Sequence, residues 1–253
     1  MIFSAVDNDR TARAVERQIE TLVLEGVLSA GDRLPGEREL SGAMDVSRPI
    51  IREAVASLEE RNLLIRRHGG ATVVADVIGS VFAEPIVQLI RDNSKARADY
   101  LEYRREIEGI TASMAAKRAT PADKELLSGI VAEMKNAHAA EDAQREAEID
   151  VHFHNAICDA SHNIMLLHTM RACYRLLEDD VFYNRELMYH REGMREALLS
   201  QHLAIHDAII AGNATQAAEA AQAHIDNLTE VTREAEKASS REQISRMRLE
   251  KSR

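Results

Sequence analysis

Tryptophan is absent from the 253 residues, and Tyr and Phe together supply only nine aromatic rings. Glycine (11) and proline (4) are also scarce, too few chain breakers for a many-turned β-sandwich or barrel, so a mainly α chain is expected. The two cysteines, Cys158 and Cys173, lie inside apolar helical patterns, which excludes a disulfide scaffold and predicts buried thiols. No apolar run approaches the roughly 20 residues that cross a bilayer. The opening MIFSAVDNDR has no signal-peptide core, so a cytoplasmic protein without membrane contact is expected. Basic charge is short as well: 32 Lys and Arg face 42 Asp and Glu, a formal charge of −10 with a pI near 5.5. Because a polyanion is ordinarily met by a basic surface, that total argues against a nucleic-acid partner.

What is present is unevenly distributed. Residues 1–75 hold 10 basic and 12 acidic side chains, residues 76–236 hold 16 and 28, and residues 237–253 hold 6 and 2. The acidity therefore belongs to the middle of the chain. Eight glycines and prolines between Gly26 and Gly70 mark short elements joined by tight turns, whereas the later chain reads as long amphipathic helices. The expected organisation is a domain over 1–75, a linker over 76–80, an all-helical domain over 81–238 and a charged tail over 239–253.

In the first segment Ala14, Ile19, Leu22, Val23 and Leu28 recur at helical spacing, followed by a turn at Ala30-Gly31-Asp32. A second helix is expected over about Glu37 to Met44. A third follows, with Ser47 as N-cap and Pro49 in its first turn. LLIRR, HGGA and TVV then read as two short strands around a glycine turn. That order is a winged helix-turn-helix with a small β-hairpin wing. Ser47, Arg48 and Arg52 lie on the exposed face of the third helix, suited to a major groove where arginine pairs bidentately with guanine. Arg38 is placed to brace a phosphate or reach a base, and Arg66-Arg67-His68-Gly69-Gly70 forms a narrow basic wing suited to a minor groove. Each arginine alone also fits an ordinary solvated face; the joint order of elements favours DNA.

The segment from LEGVLSAGDRLPGEREL to GGATVV resembles the DNA-binding domain of the GntR family of bacterial transcription regulators, through LPGEREL, VSRPIIREA and RRHGG. The resemblance implies that Arg38, Ser47, Arg48 and Arg52 contact the operator and that His68, Gly69 and Gly70 form the wing tip. Gly36 and Ala71 depart from the family, which usually has Ser or Ala at the first position and a third glycine at the second.

The second segment reads as seven helices, at about 80–93, 98–119, 121–139, 143–160, 163–186, 190–212 and 214–238, enough for a bundle with its own core. Asp150 and His154 are four residues apart on one helix face, and His202 and His224 lie on two later helices. Three imidazoles and a carboxylate in a bundle core suit Zn²⁺, Ni²⁺ or a similar divalent ion. With 10 histidines in the chain such a pair also arises by chance, and His206 stands four residues after His202 as an alternative. His152 faces away from His154, and His162 at a helix junction suits capping. Arg104 and Glu108 share a face, either as a surface ion pair or as a grip on a carboxylate effector beside the metal. Asn163 is a further polar candidate for the effector or for a helix cap.

From Tyr100 to His224 the chain is similar to the ligand-sensing FCD domain of the FadR-type GntR subfamily, in YRREIEG, AAKRAT, DVHFHNAICDASHN, QHLAIHDAIIAGN and AQAHI. The resemblance implies Asp150, His154, His202 and His224 as metal ligands and Arg104 as an effector contact. LLHTMR and the LEGVL and PGERELS stretches resemble the pyruvate- and lactate-responding branch. The chain is accordingly expected to be a homodimeric repressor. It would bind double-stranded DNA at a pseudo-palindromic operator under the control of a small carboxylate. Two rivals remain at this point: a constitutive DNA-binding protein whose bundle only dimerises, and a metal-dependent hydrolase.

Overall fold

Helix starts in this chain are set by side chains that accept from free backbone amides. Thr11, Asn93 and Asp142 each accept such a bond, and Thr120 and Asp123 form a reciprocal capping box. The computed structural model describes residues 2–5, 11–67, 70–76, 93–175 and 193–251, and the chain separates into two compact units, Met1–Ala83 and Glu84–Arg253.

In the first unit, α1 (Ala12–Leu24), α2 (Glu37–Met44) and α3 (Arg48–Glu60) precede β1 (Leu64–Arg66) and β2 (Thr72–Val74). The strands pair antiparallel, Leu64 with Val74 and Arg66 with Thr72, and an isolated bridge joins Arg33 to Val73. Gly70, at φ +82°, takes the left-handed conformation that the hairpin turn requires. Val15, Ile19, Leu40, Met44, Ile51 and Leu58 close a core beneath the three helices. Glu16, buried on α1, meets Arg13 at 2.9 Å and Arg61, just past α3, at 3.8 Å. Pro49 falls in the first turn of α3 as expected. Ser47 holds the N-cap position, but its side chain makes no capping bond, so its exposed hydroxyl is not spent within the helix.

The second unit contains, among the described residues, α4 (Ser94–Arg118), α5 (Pro121–Ala139), α6 (Ala143–Ala160), α7 (Ile164–Arg175), α8 (Met194–Ile210) and α9 (Ala214–Lys251). The helix expected at 80–93 and the C-terminal part of the one expected at 163–186 lie outside the described residues. Helix α4 begins earlier than its apolar pattern suggests because Asn93 Oδ1 accepts from Ala96 N at 3.1 Å. Helix α9 runs on to Lys251 instead of ending near 238: no Gly or Pro interrupts it, and Arg248 and Lys251 in its last turn suit the negative end of the helix dipole. Nine helices and one hairpin among the described residues make this a mainly α protein.

Helices α4 and α9 pack antiparallel, since Arg97 meets Glu236 at 2.5 Å and Arg105 meets Asp226 at 2.7 Å. Gly109 allows the closest approach; a Cβ there would stand 2.9 Å from Gln222 Cγ. Ala112, Ala115, Ala116, Ala217 and Ala221 continue this alanine-rich seam into a core with Leu127, Ile130, Phe153 and Ile205. Phe153→Ala is expected to lower unfolding free energy by about 3–5 kcal/mol in chemical denaturation. Met165→Ala, at a side chain 74% exposed, should stay within about 0.5 kcal/mol. Equal losses would contradict this account of the core.

Candidate metal centre and nucleic-acid interface

Asp150 and His154 are one turn apart on α6, so both side chains leave the same face toward α8 and α9. His202 on α8 and His224 on α9 meet them there. One donor atom from each of the four residues lies within 4.8 Å of all the others, and all four are buried. Asp150 Oδ1 is 3.0 Å from His202 Nε2 and 3.9 Å from His154 Nε2. Donors about 2.0–2.2 Å from a shared ion stand roughly 3–3.6 Å apart, so the Asp150–His202 pair already stands at ligand spacing and the Asp150–His154 pair a few tenths of an ångström beyond it. Phe153 packs edge-on against the His154 and His202 rings, at centroid distances of 5.7 and 5.4 Å.

Contacts behind the cluster orient the imidazoles. Glu108 Oε2 lies 3.0 Å from His154 Nδ1, and Arg104 Nε donates to Glu108 Oε1 at 2.6 Å. Gln201 Oε1 lies 3.0 Å from His224 Nδ1. With Nδ1 occupied in both rings, the Nε2 atoms are left for the cluster, the arrangement by which carboxylates and carbonyls position metal-binding histidines. Burial raises the Glu108 pKa, but Arg104 and then His154 outweigh it and hold the carboxyl well below its usual range, hence ionised. Burial works against the Arg104 charge in turn, and Glu108 more than restores it. Burial first, then His202 and His154, push the His224 imidazole down to the neutral form that has a lone pair to offer. His154 Nε2 is buried with no hydrogen-bond partner. A bare carboxylate–imidazole cluster leaves this atom orphaned, whereas a divalent cation satisfies it, so the residues fit a metal.

The alternatives resolve by position. His206 lies off the cluster, near Ser128 Oγ at 3.1 Å and Asp207 Oδ1 at 2.8 Å, and His152 is exposed. His162 adopts positive φ and meets Asp123 Oδ2 at 2.9 Å. Asn163 Oδ1 accepts from the amides of Met165 and Leu166, at 3.1 and 3.2 Å, so it caps α7. Arg104 is not a surface residue: its side chain is 6% exposed, between the Tyr174 and Tyr100 rings. Gln201 escaped the sequence reading because nothing in SQHLAIHD marks a partner 23 residues away on another helix. Cys158 and Tyr174 line, with Glu108 and His154, a space of about 10 Å³ beside the cluster. Burial raises the Cys158 pKa well above its ordinary value, keeping the thiol protonated and a poor ligand.

In the first unit, Ser47 and Arg48 are exposed at the start of α3, and Arg52 follows one turn later. Arg52 is held by Glu37 at the start of α2, through Nε at 3.1 Å and Nη2 at 2.9 Å from the same carboxylate oxygen. The Arg52 hydrogen bond, with Arg66 and Arg48 nearby, lowers the Glu37 pKa. Arg38 and Arg48 are exposed and make no ion pair among the described residues. Gly70 closes the wing turn, its amide donating to Arg67 O at 3.0 Å; His68 and Gly69 lie outside the described residues. A cavity of about 150 Å³, lined partly by Arg33, Glu37 and Arg66, separates the wing from α2.

Comparison with known proteins matches residues 11–74 to the model for bacterial regulatory proteins of the gntR family and residues 99–227 to the FCD domain. The chain is 38% identical over 220 residues to the "Putative L-lactate dehydrogenase operon regulatory protein" of Escherichia coli (strain K12), covering 85% of this chain and 84% of that one. It is 30% identical over 217 residues to the Glc operon transcriptional activator of the same organism, covering 83% and 84%. Among solved structures, a GntR protein of Streptococcus agalactiae superimposes with a TM-score of 0.56 at 27% identity, over 87% of this chain and 99% of that one. The chain therefore belongs to the gntR family of bacterial regulators, of FadR type with an FCD domain, and is a transcription regulator rather than an enzyme.

Proposed function

We propose that the protein is a homodimeric, metal-dependent repressor whose hold on a pseudo-palindromic operator responds to a small carboxylate. The observation that carries this reading is the buried Asp150, His154, His202 and His224 cluster with Arg104 one residue behind it, through Glu108. Residues 1–75 read DNA, residues 81–238 sense the effector, and a two-fold pair of chains sets two α3 helices in successive major grooves. Arg38, Ser47, Arg48 and Arg52, with His68, Gly69 and Gly70 of the wing, are assigned to the operator. DNA reading places the protein in the cytoplasm.

Asp150, His154, His202 and His224 would hold the ion, and the three-imidazole, one-carboxylate set favours Zn²⁺, with Ni²⁺ the nearest competitor. Bound there, the ion supplies a Lewis-acid position for one effector carboxylate oxygen. Arg104 offers the second half of the grip: its guanidinium is charged, buried and oriented by Glu108, and a carboxylate that draws it away exchanges one anionic partner for another. Asn163, assigned to the effector from the sequence, has its carbonyl oxygen committed to the α7 cap and keeps only its amide group for that role. The name of the Escherichia coli relative points to lactate, so a small 2-hydroxycarboxylate is the effector class we assign. Arg104 and Glu108 both ride on α4, the first described helix after the DNA-binding unit. An effector that binds two placements of α4 with different affinity shifts the balance between them, as regulation requires.

Replacing Arg48 and Arg52 together with Ala should abolish the mobility shift of an operator selected from a random duplex library, with helical circular dichroism preserved. Retained sequence-specific shift would remove α3 from base reading. His154→Ala should lose the metal that elemental analysis finds in the purified protein, and the thermal stabilisation that added Zn²⁺ gives after chelation; unchanged metal content rules out the site. Arg104→Ala should retain operator binding while calorimetry with L-lactate on the Zn²⁺-loaded protein shows at least a tenfold affinity loss. Full affinity would exclude the arginine from the effector site.

A further inference from the structure

Helix α9 outlasts the domain it belongs to. The FCD match ends at residue 227, yet the helix continues to Lys251, and this extension is where the chain reverses its charge, with 6 basic and 2 acidic side chains over 237–253. At 3.6 residues per turn, Lys237, Arg241, Arg248 and Lys251 fall within a sector about 80° wide, in a stripe about 21 Å long. Ile244 lies among them, and Glu242 and Glu250 project from the opposite side. The four stripe cations are exposed and make no ion pair among the described residues. Arg246, on the far face, is bound to Glu242 at 2.9 Å. The helix thus pairs its cations on one side and leaves a uniform positive row on the other.

A row of that kind fits a polyanion better than a protein groove. Protein interfaces are depleted of charge at their centres, and the only adjacent exposed apolar pair on the described extension is Ile244 with Met247. Duplex DNA offers one phosphate every 3.4 Å or so along each strand, several within the length of the stripe.

We propose that the α9 extension lays Lys237, Arg241, Arg248 and Lys251 along the phosphate backbone of duplex DNA, adding sequence-independent affinity to the reading done by α3. The proposal rests on the assignment of operator reading to the first unit. It adds a basic stripe to a chain whose residues 76–236 are net acidic, and it concerns contacts that position the protein without specifying bases.

The test uses full-length protein, a library-selected duplex and a mixed-sequence 40-base-pair duplex, with anisotropy titrations across a salt series. Replacing all four stripe cations with Gln should reduce the slope of log K against log salt by up to about 3.6 per chain bound on both duplexes, from about 0.9 per phosphate contact. The affinity ratio between the duplexes should be preserved. The double variant Arg241→Gln with Arg248→Gln should show about half the effect, and Arg246→Gln should show none. Unchanged slopes in the quadruple variant, or an equal drop in Arg246→Gln, overturn the proposal. So does lost self-association in sedimentation with DNA binding intact, which would give the stripe to a second copy of the chain. Failure of the first-unit reading appears differently, as a wild-type protein that enriches no sequence from the library.

Discussion

A buried carboxylate between an arginine and an imidazole is the interaction on which the second unit depends. Taking Glu108 out of water costs several kcal/mol, and only a close charged or hydrogen-bonding partner offsets it. Arg104 at 2.6 Å and His154 at 3.0 Å are those partners. The first holds the Glu108 side chain in place on α4, and the second ties α4 to α6. Once α6 is held, Asp150 and His154 face inward together, and His202 and His224 complete a buried set of four donors. Polarity at this depth is stabilising only while every member is matched, so the same contacts that order the bundle leave it little tolerance for losing one of them.

The scarcity of large side chains has a structural counterpart. Phe153 is the one aromatic residue in the main core cluster, and much of the rest of the α4 and α9 contact is alanine. Small side chains and Gly109 let α4 and α9 approach, and a Cβ at Gly109 would press on Gln222, two residues before His224. Phe153 itself fills the gap between His154 and His202, edge-on to both, and limits how far either ring can rotate. Hydrophobic packing and donor placement are therefore the same constraint read at adjacent positions of α6.

The first unit handles charge by restraint. Its balance is close to neutral, yet Glu37 gathers Arg52 at hydrogen-bond distance with Arg48 and Arg66 around it. A carboxylate in that position lowers the net charge but narrows the rotamers open to an arginine that would otherwise sample many. The formal −10 of the whole chain is thus a poor guide to the partner, because acidity in the FCD unit and basic groups near the termini serve different surfaces.

Periodicity and punctuation alone determined a good deal here. The bounds of α2, α5 and α6, the hairpin after α3, and the pairing of Asp150 with His154 follow from rules that act within a few residues: 3.6-fold apolar repeats, proline and threonine at helix starts, glycine in a turn. The motifs identified the family, and the choice of His202 and His224 came from that resemblance. The tertiary structure puts His202, and not His206, beside Asp150 as the resemblance implied, because one helical turn moves an imidazole from the core to the Ser128 side of the bundle. It also turned Arg104 from a surface pair into a buried cation and gave Asn163 to a helix cap. Gln201 was found only behind His224, and α9 was seen to continue past its expected end. The outcomes at His202, Arg104 and Gln201 depend on what lies opposite a side chain across a helix interface, at separations of 20 to 100 residues, where local sequence carries no information about the partner.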